Sequence, residues 1–439
     1  MSNSVPLGLR AEPTTLVQLL RWRCECQPQG NPYTFLADGE GAETHCSYSS
    51  LDRQARAIAA LLQDTLPRGE PVLLLYPPGL EYIAAFFGCL YAGMVAVPIF
   101  PPPLSRPALR LQAILHDSRA TVVLTTARLL ADSPALMRHT PGLSSLRWFS
   151  TDDLPAGAEN GWQAPPIGAE GLAFLQYTSG STGTSKGVML SHRNLLHNLS
   201  VIYRLYGMSA DSRGVIWLVP YHDMGLIGGI LAPLYGGFPV TLMPPIAFLQ
   251  KPLRWLKAIS RYRATISGGP NFAYQLSLSK ISAQEREVLD LSNWQVAFNG
   301  AEPLREETMR RFAAAFAPCG FRYEAFYPCY GLAEATLMVS GGEPTAAPVV
   351  QAVQGATFSQ HRIVPTAVDE AGRHLLVGSG RAVLGQRDAI EQLTPSIDIV
   401  GEERVIVQEV RCHTRNIDSQ AMMQAIRPAV TEQHGLCLA

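Results

Sequence analysis

An α/β architecture is predicted for about the first 340 residues of this 439-residue chain, and two observations predict it. Short β-branched runs alternate with helix-like apolar spacing along that whole stretch. Several of the runs end in glycine, hydroxyl or amide residues, as strands do when their carboxyl ends line a ligand crevice. Composition agrees, since 47% hydrophobic against 16% charged residues supplies enough apolar surface for two or three domains with substantial cores. The 35 basic and 36 acidic side chains nearly cancel, so no global field draws the chain to nucleic acid or an anionic membrane. A bound phosphate therefore needs a local site.

The strand-like runs are, in order, "VLLLY" from Val72, "VAVPI" from Val95, "TVVLTT" from Thr121, "LAFLQYT" from Leu172, "GVIWLVP" from Gly214, "PVTLM" from Pro239, "ATISGG" from Ala264, "WQVAFNG" from Trp294 and "FYPCYG" from Phe326. Tyr82 to Phe100 is uncharged over 19 residues, long enough to raise a membrane-spanning helix. Pro77, Pro78 and Gly79 before it, Gly93 at a C-cap position within it and the β-branched "MVAVPI" make it instead a buried helix followed by a strand. No transmembrane segment is expected. The N-terminus lacks a basic region leading into an apolar one, so a cytoplasmic location is expected. The eight cysteines are expected to be free thiols, because the pair Cys24 and Cys26 has no partner pair to complete a zinc site. From about Gly341 to Ala371 the chain is rich in Ala, Pro, Val and Gln and reads as irregular or weakly stranded.

The stretch that carries chemistry is "YTSGSTGTSKGVMLSHRNLLHN", Tyr177 to Asn198. After the strand, "SGSTGTSKG" reads as a loop, and "SHRNLLHNLSVIYRLYG" follows with helical spacing and Ser191 as N-cap. Gly180, Gly183 and Gly187 let backbone amides approach an anion, Thr178, Ser179, Ser181, Thr182, Thr184 and Ser185 add hydroxyl donors, and Lys186 adds positive charge. Such a loop wraps phosphates. A flexible Ser/Gly linker has the same composition, but linkers rarely sit between a buried strand and an apolar helix. The pattern is not that of the Walker loop, because no Gly-Lys-Ser/Thr follows four spacer residues after a glycine.

These residues resemble the phosphate-binding signature of the adenylate-forming superfamily. The stretch from Leu218 to Leu276, with "NGAEPL" at Asn299 to Leu304 and "YGLAEATLMVSGG" at Tyr330 to Gly342, narrows the resemblance to fatty acyl-AMP ligases. It extends over residues 11–386. The resemblance implies a large multilayer domain over residues 1–386, of two α/β subdomains and an incomplete β-barrel-like part. It also implies a phosphate loop at 177–187, a ligase-type insertion at about 343–375, and a vestigial α+β piece at 387–439. That insertion, between "SGG" and "LVGSGR", disfavours an acyl-CoA synthetase.

The implied reaction joins a fatty acid to ATP, with Mg²⁺, and passes the acyl group to the phosphopantetheine thiol of an acyl carrier protein. By the same resemblance Thr178, Ser179, Gly180, Ser181, Thr182, Gly183, Lys186 and Gly187 hold the β- and γ-phosphates. Glu334 helps hold Mg²⁺ and Thr336 contacts the α-phosphate. Tyr330 and Gly331 lie against adenine, with Asn299, Gly300, Ala301 and Glu302 closing that pocket. His222 sits near the carboxylate being activated and Asp223 orients it, while Met224, Gly225, Ile227, Gly268, Asn271 and Phe272 border the acyl site. Taken singly, a glutamate in a turn is more often just solvated, and a histidine more often packs or caps; the set of motifs in family order is what raises them together.

After "VGSGRAVLGQ", Val377 to Gln386, the family pattern breaks. The chain passes at once to "RDAIEQLTPSIDIVGEERVIVQEV" and "MMQAIRPAVTEQHGL", which resemble pieces from inside the family's C-terminal domain. A shortened C-terminal region is expected, without the ribose-binding acidic turn, the hinge or the terminal lysine. Loss of one electrostatic donor of that kind costs about 10²–10³ in rate, so a homologue that binds ATP or acyl-adenylate with impaired turnover stands beside the working ligase. Within the tail "RVIVQEV" alternates like a strand, and Ile417, Ala421, Met422, Ala425, Ile426, Ala429 and Val430 share a helical face. Together they are too little for an independent core.

Overall fold

The computed structural model describes residues 12–102, 108–178, 186–358, 364–382, 398–400 and 405–407. Two sheets organise it. Among the described residues the first runs in the order Arg147–Ser150, Val122–Thr125, Pro71–Leu75, Val95–Ile99, Leu172–Thr178, Lys186–Ser191. Its first five strands are parallel and the last is antiparallel to its neighbour. Val95–Ile99 is buried at every position, as the unbroken apolar run requires of a parallel strand covered on both faces.

The second sheet is built on six parallel strands, Tyr33–Leu36, Val240–Leu242, Gly214–Ile216, Ile266–Gly269, Val296–Asn299 and Phe326–Gly331. Glu43–Cys46 closes one side antiparallel to Tyr33–Leu36. On the other side Met338–Gly341 and Arg373–Ala382 continue the sheet antiparallel. Val350–Gln354 pairs antiparallel with Arg373–Ala382, so the stretch read as irregular or weakly stranded contributes a strand to the pair. Of the tail, Asp398–Val400 and Val405–Val407 add to the same sheet edge, and the helical face from Ile417 lies outside the described residues.

The uncharged segment folds as expected. Leu80–Ala92 is a helix of 13 residues buried from Tyr82 onward, and Gly93 closes it in the left-handed conformation at φ 72°. Among the described residues no helix is long and apolar enough to cross a membrane.

The sheets meet where their carboxyl ends face. Tyr221, five residues past Ile216, donates its hydroxyl to the Tyr76 carbonyl, just past Leu75. Its own carbonyl accepts from Gln176 Nε2 at 3.0 Å. The Tyr221 ring packs edge-on against Tyr82 at 5.3 Å and Phe100 at 5.7 Å. One apolar core runs through both sheets at this junction.

One expectation is corrected. Lys186 and Gly187, read as loop, begin the strand Lys186–Ser191, which pairs Thr178 with Lys186 and Tyr177 with Gly187. A strand antiparallel to Leu172–Thr178 thus stands between the glycine-hydroxyl segment and the helix, and residues 179–185 lie outside the described residues. The strand is weakly marked in the sequence because "KGVMLS" lies at a sheet edge, carries glycine at its second position and exposes Met189, so its alternation is weak.

Candidate functional site

The hairpin is fixed from behind. Tyr177, buried in the first sheet, donates its hydroxyl to Asp117 Oδ2 at 2.6 Å, and burial followed by that carboxylate pushes the phenol pKa upward. Arg110 donates to the Tyr177 carbonyl at 3.0 Å. A β-carbon on Gly187 would stand 2.9 Å from the Tyr177 ring, so only glycine lets the returning strand cross here. Thr178 and Lys186 face each other at the hairpin base, with the Lys186 side chain exposed. Ser179, Gly180, Ser181, Thr182 and Gly183, expected to hold phosphate, lie outside the described residues.

From Ser191 the chain enters the helix His192–Leu205 through a capping box: the Ser191 hydroxyl accepts from Asn194 N, and Asn194 Oδ1 accepts from Ser191 N at 3.0 Å. Leu195, Leu199 and Ile202 form the buried stripe of this helix, and Asn198 falls within it, 1% exposed. Its Nδ2 donates to the carbonyls of Ala335 at 3.3 Å and Met338 at 3.0 Å, and its Oδ1 accepts from Met338 N at 3.0 Å.

Those contacts hold the turn that carries Glu334 and Thr336. Ala333–Ala335 form one turn of 3₁₀ helix, Thr336 N donates to the Ala333 carbonyl at 2.8 Å, and Thr336 sits at φ 75°, ψ −59°. A β-branched residue at positive φ costs about 1–3 kcal/mol and persists only where surrounding bonds impose it. The three bonds to Asn198, each worth about 1 kcal/mol net, are of the size needed. Glu334 is exposed and Thr336 is buried. Tyr330 and Gly331 end the preceding strand, with a register shift between them.

The His222 segment arrives from the second sheet. His222 Nδ1 lies 2.6 Å from Asp223 Oδ1, and that oxygen also accepts from Met224 N at 2.6 Å. Asp223 is 8% exposed, so its carboxylate both orients the imidazole and starts the π-helix Met224–Leu231, a rare element common at functional sites. Gly225 and Ile227 are buried within it, and a β-carbon at Gly225 would fall 1.9 Å from the Val219 carbonyl. Leu337, from the Glu334 turn, lies beside Gly228 of the same π-helix. The turn therefore touches both the hairpin's helix and the histidine segment.

The strand ends at Gly269 and Asn299 complete the arrangement. Glu302 accepts from Phe272 N at 2.6 Å and Asn271 Oδ1 accepts from Arg305 N at 3.2 Å, so these two side chains cross-tie the loops that follow the strands. Gly268 packs on Phe298, Gly300 on Cys329, and Ala301 takes a positive φ of 67°. Asn299 is fully buried, yet neither atom of its carboxamide finds a partner among the described residues. Leaving such groups unpaired costs about 1–3 kcal/mol each, which fits a strand end that receives a polar ligand. Phe272 is half-buried with its ring 6.0 Å from Trp217, an apolar wall beside the polar strand ends.

Sequence reasoning passed over Asn198, Tyr221 and Gln176. The available signal was an asparagine inside an apolar helical stripe, where it weakens both helix and core unless bonded. Its partners lie 137 and 140 positions away, which periodicity does not reveal.

Compared with known proteins, residues 20–372 match the family described as AMP-binding enzyme. The chain is 45% identical over 390 residues to the medium-chain fatty acid–acyl-carrier-protein ligase JamA of Moorena producens, covering 87% of this chain and 65% of JamA. It is 34% identical to the similarly described TtuA of Teredinibacter turnerae, covering 82% and 62%. The fold matches the fatty acyl-adenylate ligase of Legionella pneumophila, solved with acyl adenylate and pyrophosphate, at TM-score 0.79 and 45% identity, covering 84% and 64%. The chain spans a little under two thirds of the length of each of these proteins.

Proposed function

The chain belongs to the AMP-binding enzymes, and from that membership we propose that it activates a fatty acid with ATP, for delivery to an acyl carrier protein. A carboxylate oxygen of the fatty acid attacks the α-phosphorus, the bond from that phosphorus to the β-phosphate oxygen breaks, and pyrophosphate leaves with the electron pair. The carrier's phosphopantetheine sulfur then attacks the acyl carbon, the carbon–oxygen bond to AMP breaks, and the thiol proton passes to solvent. JamA's name supports a medium-chain acid as the first substrate to try. The name also supports the carrier-protein acceptor.

The observation that carries this reading is the convergence on residues 328–338. The hairpin's helix reaches them through Asn198, the π-helix touches Leu337, and the Asn299 strand pairs alongside at Pro328. In the proposed reaction the hairpin with Thr178, Lys186 and Gly187 binds the phosphates that leave, Thr336 meets the α-phosphate, and His222, oriented by Asp223, sits at the incoming carboxylate. The buried Asn299 carboxamide, with Gly300, Ala301, Tyr330 and Gly331 around it, receives the base. Met224, Ile227, Gly268 and Phe272 border the acyl chain, and Asn271 and Glu302 brace the two loops. Catalysis of this type is positioning and charge neutralisation, which Lys186 and Glu334 supply.

Among the described residues no cluster of three or more metal-binding side chains is present. Mg²⁺ is commonly held by one or two carboxylates together with the substrate's own phosphate oxygens. The exposed Glu334 carboxylate would hold it, and the ion would neutralise phosphate charge. Residues 1–386 act in this reading as the adenylating domain, with 343–375 as the segment set against CoA.

The test is to incubate the chain with ATP, Mg²⁺ and fatty acids of graded length and to measure acyl-AMP directly, with Lys186→Ala and Glu334→Ala as controls. Product that vanishes in both variants supports the reading. No product, with an ATP analogue still bound, would leave a nucleotide-binding protein without this chemistry.

A further inference from the structure

We infer that Asn198 is a positioning residue that locks the Glu334–Thr336 turn to the hairpin carrying Lys186; the inference rests on the adenylating role proposed for that site. From Lys186 to Asn198 the chain is one continuous unit, a strand that ends at Ser191 and a helix capped by that same residue. No loop intervenes to absorb movement. A displacement of the hairpin base is thus carried into the helix, and Asn198 is where the helix grips the turn.

The chemistry of the side chain fits this role closely. Leu195, Leu199 and Ile202 on the same face are apolar, and an apolar residue at 198 would favour both helix and core. The carboxamide instead supplies what no other small side chain does, two donors and an acceptor on one rigid plane. Its donors go to the carbonyls of Ala335 and Met338, and its acceptor takes the Met338 N–H. Ala335 and Met338 bracket Thr336, the residue at φ 75°. The bonds therefore fix the Ala335–Thr336 peptide plane and, one residue further on, the Leu337–Met338 plane, so they bracket a backbone position at positive φ that β-branched residues avoid.

The consequence for catalysis is a fixed distance between the charge that binds the leaving phosphates and the groups at the α-phosphate. Displacements of about 1 Å far from the reacting atoms cost about 10² in rate when they disturb such alignment. Asn198 touches no reacting atom. It acts through Thr336 and Glu334.

Two variants and a control decide the matter on the full chain. Asn198→Ala removes all three bonds, and Asn198→Asp keeps the shape and the acceptor but loses both donors. Hydrogen exchange is followed across residues 331–340, with Leu172–Thr178 as internal reference. Both variants are expected to exchange about ten-fold faster in 331–340 with the reference strand unchanged; exchange as slow as in the parent chain overturns the inference. In acyl-AMP synthesis both variants are expected to lose kcat by about 10- to 100-fold while KM for the fatty acid stays within about two-fold. Leu195→Ala, which cuts the same helix face and removes none of the three hydrogen bonds to the turn, is the structural control. It is expected to lower Tm at least as much while keeping kcat within about two-fold. Equal kcat losses in Leu195→Ala and Asn198→Ala at matched Tm would overturn the positioning role. If the parent chain makes no acyl-AMP, the proposed function falls, and the exchange arm still decides whether Asn198 locks the turn.

Discussion

The turn at residues 332–338 and the hairpin at Thr178–Lys186 both carry charged side chains of the candidate site, and they are held by different means. The turn is tied by buried side-chain hydrogen bonds from Asn198 and contains a residue at positive φ. The hairpin, among the described residues, is held at its base by strand pairing and from behind by Tyr177. A turn built this way has one geometry, which suits the role proposed for Thr336 at the α-phosphate. The described part of the hairpin is fixed through its two strands and Tyr177, which suits the proposed role of Lys186 as a charge presented from a sheet edge.

Breaking the charges should have the largest effect and should separate the two regions. Lys186→Ala and Glu334→Ala are each expected to lower acyl-AMP formation by about 10²–10³ with little change in Tm, because both side chains are exposed. If the comparison holds, Lys186→Ala raises KM for ATP and Glu334→Ala acts mainly on kcat; steady-state kinetics with ATP varied at saturating fatty acid distinguishes them.

Acid should weaken the hairpin's helix next. His192, 1% exposed, accepts from Leu16 N through Nδ1 at 3.3 Å, and burial lowers its pKa from 6.5 to about 4. Above pH 6.5 the imidazole is neutral in both folded and unfolded chains and stability does not depend on it. As pH falls from 6.5 toward 4 the unfolded chain takes up a proton that the native chain refuses, so stability drops, by about 3 kcal/mol in full. Urea unfolding at pH 7 and pH 5 should show this loss, and His192→Asn should show a flatter dependence.

Smaller effects sharpen the contrast. Ser191→Ala removes the hydroxyl half of the capping box and should cost about 1 kcal/mol in unfolding free energy. Tyr177→Phe removes the bond to Asp117, whose carboxylate remains solvated, and should cost about 1 kcal/mol or less while KM for ATP rises modestly. A Tyr177→Phe chain with unaltered KM would show that the hairpin does not depend on its anchor.

Much of this arrangement was legible in the sequence because it is local. The strands Val95–Ile99, Leu172–Thr178 and Phe326–Gly331 end where their apolar runs end, and Ser191 caps the helix as its hydroxyl implies. Other features depend on partners far along the chain. Lys186–Ser191 is a strand only because Leu172–Thr178 offers it an edge. Met224–Leu231, whose residues the resemblance set beside the acyl site without indicating their backbone form, is a π-helix under the Asp223 cap and the close approach to Val219. Asn271 and Glu302, expected at the acyl and adenine pockets, direct their oxygens to the backbone of Arg305 and Phe272. No spacing rule foretells such ties.

The central claim is that this site joins a carboxylate to the α-phosphorus of ATP, and fatty-acid-dependent exchange of labelled pyrophosphate into ATP tests it most directly. The account predicts exchange that requires the fatty acid, saturates with it and falls by about 10²–10³ in Glu334→Ala. Label that enters ATP equally without fatty acid, or none at all while an ATP analogue still binds, would contradict it.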